Sequence, residues 1–571
     1  MGENGNKKVI ALLGIAAVVV FFVVYVGIKV VNNVADEVNG RKIGGETVTN
    51  ENKEALLEEY VKQVNATTSQ ARKASVELKG SSLAEELPDI DKYPLSVEGK
   101  ADIVLEIFVS PEKAGEEKDR FLIDLANQFN SKMTKVGDKT VAISIRSMAS
   151  GLGADYIISK KHVPDAYTPS NDLWGELINA QGGKVTMVEK RLAGNVAGIL
   201  LTKEKQDELV NKYGAINMKT ITQATAANEF AMGYTNPLSS STGMNFLLST
   251  LYAYDTKDVL SNGAKNGFTE FQKNVPYVAY TTMQMRESAK SGSLEGMVME
   301  YQSYINDSDL KNNYTFNQFG YRHDNPMYSV GTLSQEKQKG LEAFVSYATS
   351  KEAQELATSL GFNQLDDYKS EMPGLDGNTI LKAEKLWKEN KDTGKDITAV
   401  FVADVSGSMD GEPLNQLKSS LINGAQYINN KNSIGLVSYS SKVTINLPIA
   451  RFDLNQRAYF QGAVEDLSAS GSTASFDAVI VAMDMLLEAK KDNPNTKPMM
   501  FLLSDGETNT GYSLDDIKDL LKLYEIPVYT IGYNADIDAL QVVSNINEAA
   551  SINADSDDVV YKLKSLFNAQ M

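Results

Sequence analysis

The sequence predicts an α/β protein with an N-terminal membrane-spanning helix and two folded domains. Three observations predict this architecture. Residues 9–28 form an uninterrupted apolar run without charge. Two later blocks, 99–366 and 396–571, alternate short apolar runs with segments of helical periodicity, the pattern of sheets joined by crossover helices. At 571 residues the chain is too long for one core.

Composition limits the classes of function. The net charge of −18 disfavours nucleic acid, which normally requires a basic face. The chain has no cysteine, so it has no disulfide framework and no thiolate metal site. His162 and His323 are its only histidines, which argues against histidine-based catalysis and against a zinc site rich in histidine.

The apolar run predicts an uncleaved membrane anchor. About 20 helical residues span a hydrocarbon core of about 30 Å. A cleaved signal peptide is the alternative, but its apolar region is typically about 7–15 residues long and ends at a small-residue site. Lys7 and Lys8 precede the run, whereas Lys29, Arg41 and Lys42 follow it, so the positive-inside rule does not decide the orientation. We take 1–8 as a cytoplasmic tail, and the kinds of domain that follow argue for an extracellular location of the bulk of the chain.

Residues 31–98 are mixed in charge and contain no long buried strand. Apolar residues recur with helical spacing in 55–64, so we predict a partly helical, weakly packed stalk. The next domain, 99–366, opens with an apolar strand that ends at Ser110, followed by a helix around 121–129 and a strand at 141–145. This β–α–β order predicts a parallel sheet.

Five further stretches of the middle domain occur in a recognisable order. They read PDAYTPSNDLWGEL, RLAGNVAGILLT, YTNPLSSSTGMNFLL, KSGSLEGMVMEY and LEAFVSYATSKEAQELATSLGF. Together they resemble bacterial extracellular solute-binding proteins of the two-lobed, type II periplasmic-binding fold. The resemblance implies a cleft between the lobes and implies that five residues line it: Ser110, Ser150, Ser240, Ser241 and Tyr301.

The turn at 239–243 allows two interpretations. It opens a helix, so its free N–H groups and the helix dipole can cradle an anion. The same residues can instead serve as an ordinary N-cap. No arginine or lysine falls inside the loops at 148–153 and 239–243, unlike in many oxyanion-binding relatives. The sequence therefore leaves the ligand open between a small-molecule or anionic solute and an empty cleft.

A charged, glycine-containing linker is predicted at 367–395, with a short helix at 379–387. The C-terminal domain, 396–571, then alternates strands and amphipathic helices joined by short loops, as a doubly wound sheet requires. The strands at 433–440 and 443–449 have no helix between them, so we predict that the second is an antiparallel edge strand. A terminal helix is predicted near 557–569.

The most informative stretch is 400–411, VFVADVSGSMDG, a buried strand that ends in an oxygen-rich loop. Asp404, Ser406 and Ser408 alternate in this loop and can converge on one point. Carboxylate and hydroxyl oxygens are suited to a hard divalent cation. The location also fits, since open α/β sheets bind ligands at the carboxyl ends of their strands.

Two later loops complete a pattern. Thr473 lies in SGSTAS just before an apolar helix, and Asp505 ends the strand MFLLSD. The three loops resemble the metal-ion-dependent adhesion site of von Willebrand factor A domains. That resemblance implies that Ser406, Ser408 and Thr473 ligate the metal directly and that Asp404 and Asp505 act mostly through water. It also implies Mg²⁺, or another divalent cation such as Mn²⁺ or Ca²⁺, with one position left for a carboxylate of a protein partner.

Two hypotheses of function follow. The first is a single-pass cell-surface protein of the cell membrane that binds an acidic residue of a protein partner through the metal, with the middle domain sensing a solute or acting as a scaffold. The second is the solute-binding component of a transport system, docked by its C-terminal domain. We do not expect an enzyme, because the sequence has no P-loop, no H-E-x-x-H and no nucleophile–histidine–acid set.

Overall fold

A computed structural model describes residues 48–76, 82–275, 277–279, 285–286, 294–391, 396–505, 508–533, 543–544, 551–554, 563 and 567. The predicted anchor at 9–28 and tail at 1–8 lie outside these residues. Within the described part of the chain, no helix is both long enough and apolar enough to cross a membrane. The predicted terminal helix near 557–569 also lies outside it, except for two helical residues, Leu563 and Phe567, which are fully buried.

The chain begins with a helix and a very short strand, α1 (Lys53–Val64) and β1 (Thr67–Thr68). Leu57, Tyr60 and Val64 on α1 belong to the core of the C-terminal domain. Strand β1 pairs in parallel with a strand of that domain, Thr67 opposite Thr444. This segment was predicted to be part of a weakly packed stalk. The structure corrects that prediction, because the apolar face of α1 is buried against the C-terminal domain.

The middle domain has two lobes, each built on its own sheet. The first sheet has the order β2-β5-β3-β6-β13-β7, with β4 paired to β5, and the second has the order β10-β9-β11-β8-β12. The elements are α2 (Leu83–Glu86), β2 (Leu95–Val97), β3 (Ile103–Val109), α3 (Phe121–Ser131), β4 (Lys135–Val136), β5 (Lys139–Ser147), α4 (Ser150–Ser159), β6 (Ala166–Thr168), α5 (Leu173–Ala180), β7 (Val185–Glu189), β8 (Val196–Thr202), α6 (Lys203–Tyr213), α7 (Met218–Ala226), β9 (Met232–Thr235), α8 (Ser241–Tyr254), α9 (Asn262–Gln272), β10 (Tyr277–Ala279), β11 (Gly296–Glu300), α10 (Tyr301–Asn306), α11 (Ser308–Asn313), β12 (Tyr314–Arg322), β13 (Met327–Val330), α12 (Gln335–Ala348), α13 (Lys351–Ser359) and α14 (Gly377–Asn390).

Local sequence explains where many of these helices begin. A hydroxyl, amide or carboxylate just before the helix accepts a backbone N–H of the first turn, which is the usual N-cap interaction. The capping residues of this kind in the middle domain include Thr202, Asn217, Ser240, Ser261, Ser334, Ser350 and Asp376.

Helix α14 belongs to the middle domain and not to a linker. It packs on α5 of the first lobe and on α8 and α9 of the second. Trp387 is fully buried, and its Nε1 donates to the hydroxyl of Tyr234 at 2.7 Å. The prediction of a linker at 367–395 is therefore wrong for α14. The apolar face of this helix is buried against both lobes.

The C-terminal domain is a doubly wound sheet, as predicted. Its order is β1-β16-β15-β14-β17-β18-β19, and only β15 and β16 are antiparallel. Strand β16 is antiparallel as expected, but β1 covers its outer side, so β16 is not the edge. The elements are β14 (Ile397–Asp404), α15 (Glu412–Gly424), β15 (Ser433–Tyr439), β16 (Val443–Arg451), α16 (Leu454–Glu465), α17 (Ser475–Asp492), β17 (Lys497–Ser504), α18 (Leu514–Tyr524), β18 (Val528–Tyr533) and β19 (Ser551–Ala554).

Strand β14 lies at the centre of this sheet, and all eight of its residues are buried. Its neighbours β15 and β17 both run parallel to it, so their carboxyl ends lie at the same edge. Apolar side chains on the two faces of β14 enter two separate cores, one with Phe401 and one with Val402. Burial on both faces explains why the strand reads as a continuous apolar run.

Candidate metal centre and interlobe cleft

Asp404 ends β14 and is fully buried. Its Oδ1 accepts from the backbone N–H of Ser406 at 2.8 Å, and its Oδ2 accepts from the hydroxyl of Ser504 at 2.7 Å. Ser504 is the last residue of β17, so the bond joins the ends of two neighbouring strands. These bonds fix the carboxylate at the edge of the sheet where the predicted loops begin.

A chain of hydroxyls continues from this carboxylate. The hydroxyls of Ser406 and Ser408 lie 3.0 Å apart. Ser408 in turn donates to Oδ1 of Asp505 at 3.1 Å. Ser406 is buried, whereas Ser408 is exposed. The arrangement therefore begins inside the sheet and opens to the surface.

The loop of Thr473 is bonded to both other loops. Gly471 has a φ of +80°, a conformation that glycine adopts freely, and its carbonyl accepts from the N–H of Gly407 at 2.9 Å. Thr473 donates its N–H to Oδ1 of Asn509 at 2.9 Å and accepts the N–H of Asn509 at 3.0 Å. Asn509 lies four positions after Asp505. The structure thus brings together the three loops that carry the predicted residues. The hydroxyl of Thr473 accepts from Nδ2 of Asn509 at 3.4 Å.

The electrostatics of the site favour a cation. Burial raises the pKa of Asp404 above its ordinary value, and the nearby carboxylate of Asp505 raises it further, against the lowering effect of bonds from Ser504 and Ser406. In the described part of the chain, neither aspartate forms an ion pair with lysine or arginine. No three acidic or histidine side chains cluster as a metal site among the described residues. Two carboxylates with hydroxyl partners and no basic counter-charge fit a hard divalent ion.

A cleft that is partly open to solvent lies between the lobes of the middle domain, and its cavity volume is about 40 Å³. In this arrangement of the lobes the cavity has room for a few water-sized groups. Four of the five predicted lining residues, Ser110, Ser150, Ser240 and Ser241, line it. Tyr301 does not, and this prediction needs correction: its ring packs edge-on against Phe316, with the ring centroids 5.0 Å apart.

The lobes touch directly beside the cleft. Ser241 on the second lobe donates to the hydroxyl of Ser150 on the first at 3.1 Å. Gly151 donates its N–H to the carbonyl of Ser239 at 3.0 Å. Ser240 caps helix α8 by accepting the N–H of Gly243 at 3.4 Å. The N-cap interpretation of this turn therefore describes what Ser240 does in this structure.

Sequence reasoning missed the charged residues of the cleft. These are Glu112, Asp119, Arg286 and Glu300. Glu112 follows the predicted lining residue Ser110 by two positions, and this position just after the first strand could have indicated that Glu112 also lines the cleft. Asp119 and Arg286 lie between the motifs, and only the folded chain brings them together, with Arg286 Nη2 and Asp119 Oδ2 3.4 Å apart.

Comparison with known proteins assigns both domains. Residues 399–569 match the von Willebrand factor type A domain family. Residues 114–363 match the bacterial extracellular solute-binding protein family.

The chain combines a solute-binding domain with a von Willebrand factor type A domain.

The resemblances found in the sequence are thereby confirmed at the level of the two families. The chain is 28% identical over 139 residues to an uncharacterized protein of Synechocystis sp., a match that covers 23% of this chain and 31% of the relative. It is 25% identical over 184 residues to inter-alpha-trypsin inhibitor heavy chain H1 of Mesocricetus auratus, which covers 30% of this chain and 20% of the relative. The chain thus spans about a fifth to a third of the length of these curated relatives.

Two solved structures each match a part of this chain. The sulfate-binding protein SubI of Mycobacterium tuberculosis is 15% identical, with a TM-score of 0.35, and the match covers 46% of this chain and 88% of that one. A von Willebrand factor type A protein of Catenulispora acidiphila is 17% identical, with a TM-score of 0.28, and the match covers 30% of this chain and 42% of that one.

Proposed function

We propose that this protein binds a protein partner through a divalent cation held at the A domain. The observation that supports this most is the bonded chain from Asp404 through Ser406 and Ser408 to Asp505, with the Thr473 loop bonded beside it. Ser406, Ser408 and Thr473 would hold the ion directly, and the two aspartates would act mostly through water. The ion would supply a Lewis-acidic position for a carboxylate of the partner.

The exposed end of the site supports this role. Ser408 is exposed at the carboxyl edge of the sheet, while Asp404 is fully buried behind it. An ion held there has protein oxygens on one side and solvent on the other. Mg²⁺ is the ion we propose, with Mn²⁺ or Ca²⁺ as alternatives, because each accepts hydroxyl and carboxylate oxygens.

A single-pass anchor in the cell membrane, with the bulk of the chain outside, is part of the same proposal. It rests on the apolar run at 9–28 and on the extracellular character of the family that residues 114–363 match. We also propose that the protein is not an enzyme. The two histidines have structural partners: His162 contacts Glu106 and His323 contacts Glu300, each at 2.8 Å.

A second candidate function is supported by the cleft. The solute-binding domain has a cavity between its lobes, lined by polar side chains from both. The protein could therefore be the solute-binding component of a transport system, with the A domain as its docking module. A solute that binds the cleft with unchanged affinity in Mg²⁺ and in EDTA would favour this separate role over coupling to the A domain, because binding linkage is reciprocal.

Partner capture with matched variants tests the first proposal. The full chain, solubilised in detergent and immobilised, is exposed to extracts of the cell surface in Mg²⁺ or in EDTA. Asp404→Ala is compared with Asp410→Ala, since Asp410 is an exposed carboxylate of the same loop. We expect the wild type and Asp410→Ala to capture the partner in Mg²⁺ but not in EDTA. Asp404→Ala should not capture it in either buffer. Equal capture by both variants, or in both buffers, would refute the proposal.

A further inference from the structure

We infer that the interlobe cleft takes a small organic solute bearing a protonated amine, and not an inorganic oxyanion. The inference rests on the solute-binding part of the proposed function and names the chemical class of that solute. It does not depend on metal binding by the A domain.

The charge of the cleft wall is the first support. Among the described residues, three carboxylates line the cleft, those of Glu112, Asp119 and Glu300, against one guanidinium, that of Arg286. All three acidic side chains are largely buried, with exposed fractions of 10%, 13% and 4%. An inorganic dianion would enter a wall with excess negative charge, whereas an ammonium group would relieve it.

Lys113 offsets one of the three carboxylates but offers no free donor to a solute. Lys113 has a fully buried side chain, and its Nζ contacts Glu112 Oε1 at 2.8 Å and Asn325 Oδ1 at 2.9 Å, together with the hydroxyl of Ser110. Lys113 compensates Glu112 from behind the wall. Its ammonium group is therefore used within the protein.

Asp119 is the most suitable partner for a solute cation. Burial raises its pKa, and the charge of Glu112 also raises it, while bonds from Gln302 and the charge of Arg286 act the other way. Its Oδ1 accepts from Gln302 at 2.9 Å, but its contact with Arg286 is long, 3.4 Å. The carboxylate is thus under-compensated where it faces the cleft.

Arg286 indicates a second feature of the solute. Its Nη2 donates to Ser303 at 3.1 Å, but its Nε is buried and has no hydrogen-bond partner among the described residues. A buried donor without a partner is costly. An oxygen of the solute, from a carboxylate or a hydroxyl, would satisfy it, so we expect an acceptor near the amine.

The two serine hydroxyls at the start of helix α8 are already engaged. Ser240 caps helix α8, and Ser241 accepts from Nε1 of Trp174 at 2.9 Å while donating to Ser150. The bonds of Ser241 hold the helix start against the first lobe, whereas the bond of Ser240 lies within the second lobe.

Tryptophan fluorescence gives a readout specific to this domain. The chain has only two tryptophans, Trp174 beside Ser241 and Trp387 on α14. The A domain has none, so a saturable change in emission reports on the lobes. We would titrate the full chain in detergent with putrescine, L-lysine and glucosamine as amines, and with sulfate, phosphate and molybdate as oxyanions.

We expect at least one amine to give a saturable change and none of the oxyanions to do so. Asp119→Asn should weaken the binding of that amine about tenfold or more, since a charge-assisted contact is lost. Glu116→Gln, which removes an exposed carboxylate nearby, should leave it unchanged. Arg286→Gln should weaken the binding of L-lysine more than that of putrescine, because only L-lysine carries a carboxylate.

The outcomes separate this inference from the proposals above. Saturation by an oxyanion alone would overturn the amine assignment and leave solute binding standing. No response to any probe would overturn the amine assignment and remove support for the transport alternative. Metal-dependent partner capture is measured separately and is unaffected by either result.

Discussion

The hydroxyl of Ser408 donates to Oδ1 of Asp505 across 3.1 Å, although the two residues are 97 positions apart in the chain. This bond closes the gap between the loop after β14 and the loop after β17. It also brings a second carboxylate towards the buried Asp404, and the charge of Asp505 raises the pKa of Asp404. Two aspartates held together without a basic partner among the described residues are a cost to the metal-free fold.

Asp505→Asn should therefore have opposite effects with and without metal. Without a divalent ion, the variant should be as stable as the wild type or more stable, because one of two repelling charges is gone. In saturating Mg²⁺ the wild type should gain stability and the variant should gain less, because binding to the folded state stabilises it. Thermal unfolding of both chains in EDTA and in Mg²⁺ measures this crossover. Loss of stability in EDTA, with an unchanged gain from Mg²⁺, would contradict it.

Acid should weaken metal binding at a higher pH than an ordinary aspartate would allow. Burial raises the folded pKa of Asp404 in the metal-free chain, and a metal requires the carboxylate form. Protons should thus compete with Mg²⁺ as the pH falls through a value above about 3.9, the ordinary value for aspartate. Calorimetric titrations with Mg²⁺ between neutral and acidic pH would show this loss. Affinity that holds constant until the ordinary aspartate range would speak against it.

The raised pKa of Asp404 also predicts how the stability of the metal-free fold changes with pH. An acid whose folded pKa is raised destabilises the fold above that pKa and costs nothing once both states are protonated. The metal-free wild type should therefore gain stability relative to Asp404→Asn as the pH falls. The difference between the two unfolding curves in EDTA across pH isolates this effect from other titrating groups.

The N-terminal segment should be part of the A domain's stability. Tyr60 on α1 stacks on Tyr512 with the ring centroids 4.8 Å apart, and it is 6% exposed. Tyr60→Ala should cost about 3 kcal/mol or more, as expected for a buried aromatic truncated in a core. The unfolding transition that Mg²⁺ shifts belongs to the A domain and should move down in temperature. Lys62→Ala, an exposed change on the same helix, should leave it in place. An unmoved transition in Tyr60→Ala would show that α1 does not belong to this core.

Helix α14 should be an integral part of the solute-binding domain. A Cβ on Gly377 would lie 2.1 Å from the carbonyl oxygen of Glu176, so Gly377→Ala must displace the helix start. We expect a loss of about 1–3 kcal/mol, typical of overpacking. Gly374→Ala is the matched control, because nothing lies within 4 Å of its added Cβ. Unfolding followed by tryptophan fluorescence should separate the two variants, and equal midpoints would contradict the packing of α14 across the lobes.

The strands of the A domain could be predicted because their chemistry is local. Val400 and Phe401 lie in an apolar run that is buried on both faces, and Asp404 marks its end. The hydroxyl and carboxylate positions then follow from the carboxyl edge of a parallel sheet. A two-residue strand such as β1 has no such signal, and the sequence does not state which domain the apolar face of α1 covers.

The charged lining of the cleft could not be predicted for a similar reason. Asp119 and Arg286 come from opposite lobes, and their proximity depends on how the lobes close. The family resemblance implies that Tyr301 lines the cleft. Tyr301 is instead the first residue of helix α10, and its ring packs on Phe316.

Calorimetric titration of Mg²⁺ into the purified full chain tests the central claim most directly. We predict one binding site in the wild type and in Asp410→Asn, with affinity reduced about 10–100-fold in Asp404→Asn, the range seen when outer residues of metal sites are changed. Both variants remove one carboxylate of the same loop, so general charge effects cancel. Equal affinity in all three chains, or no binding by the wild type, would contradict a metal centre at this edge of the sheet.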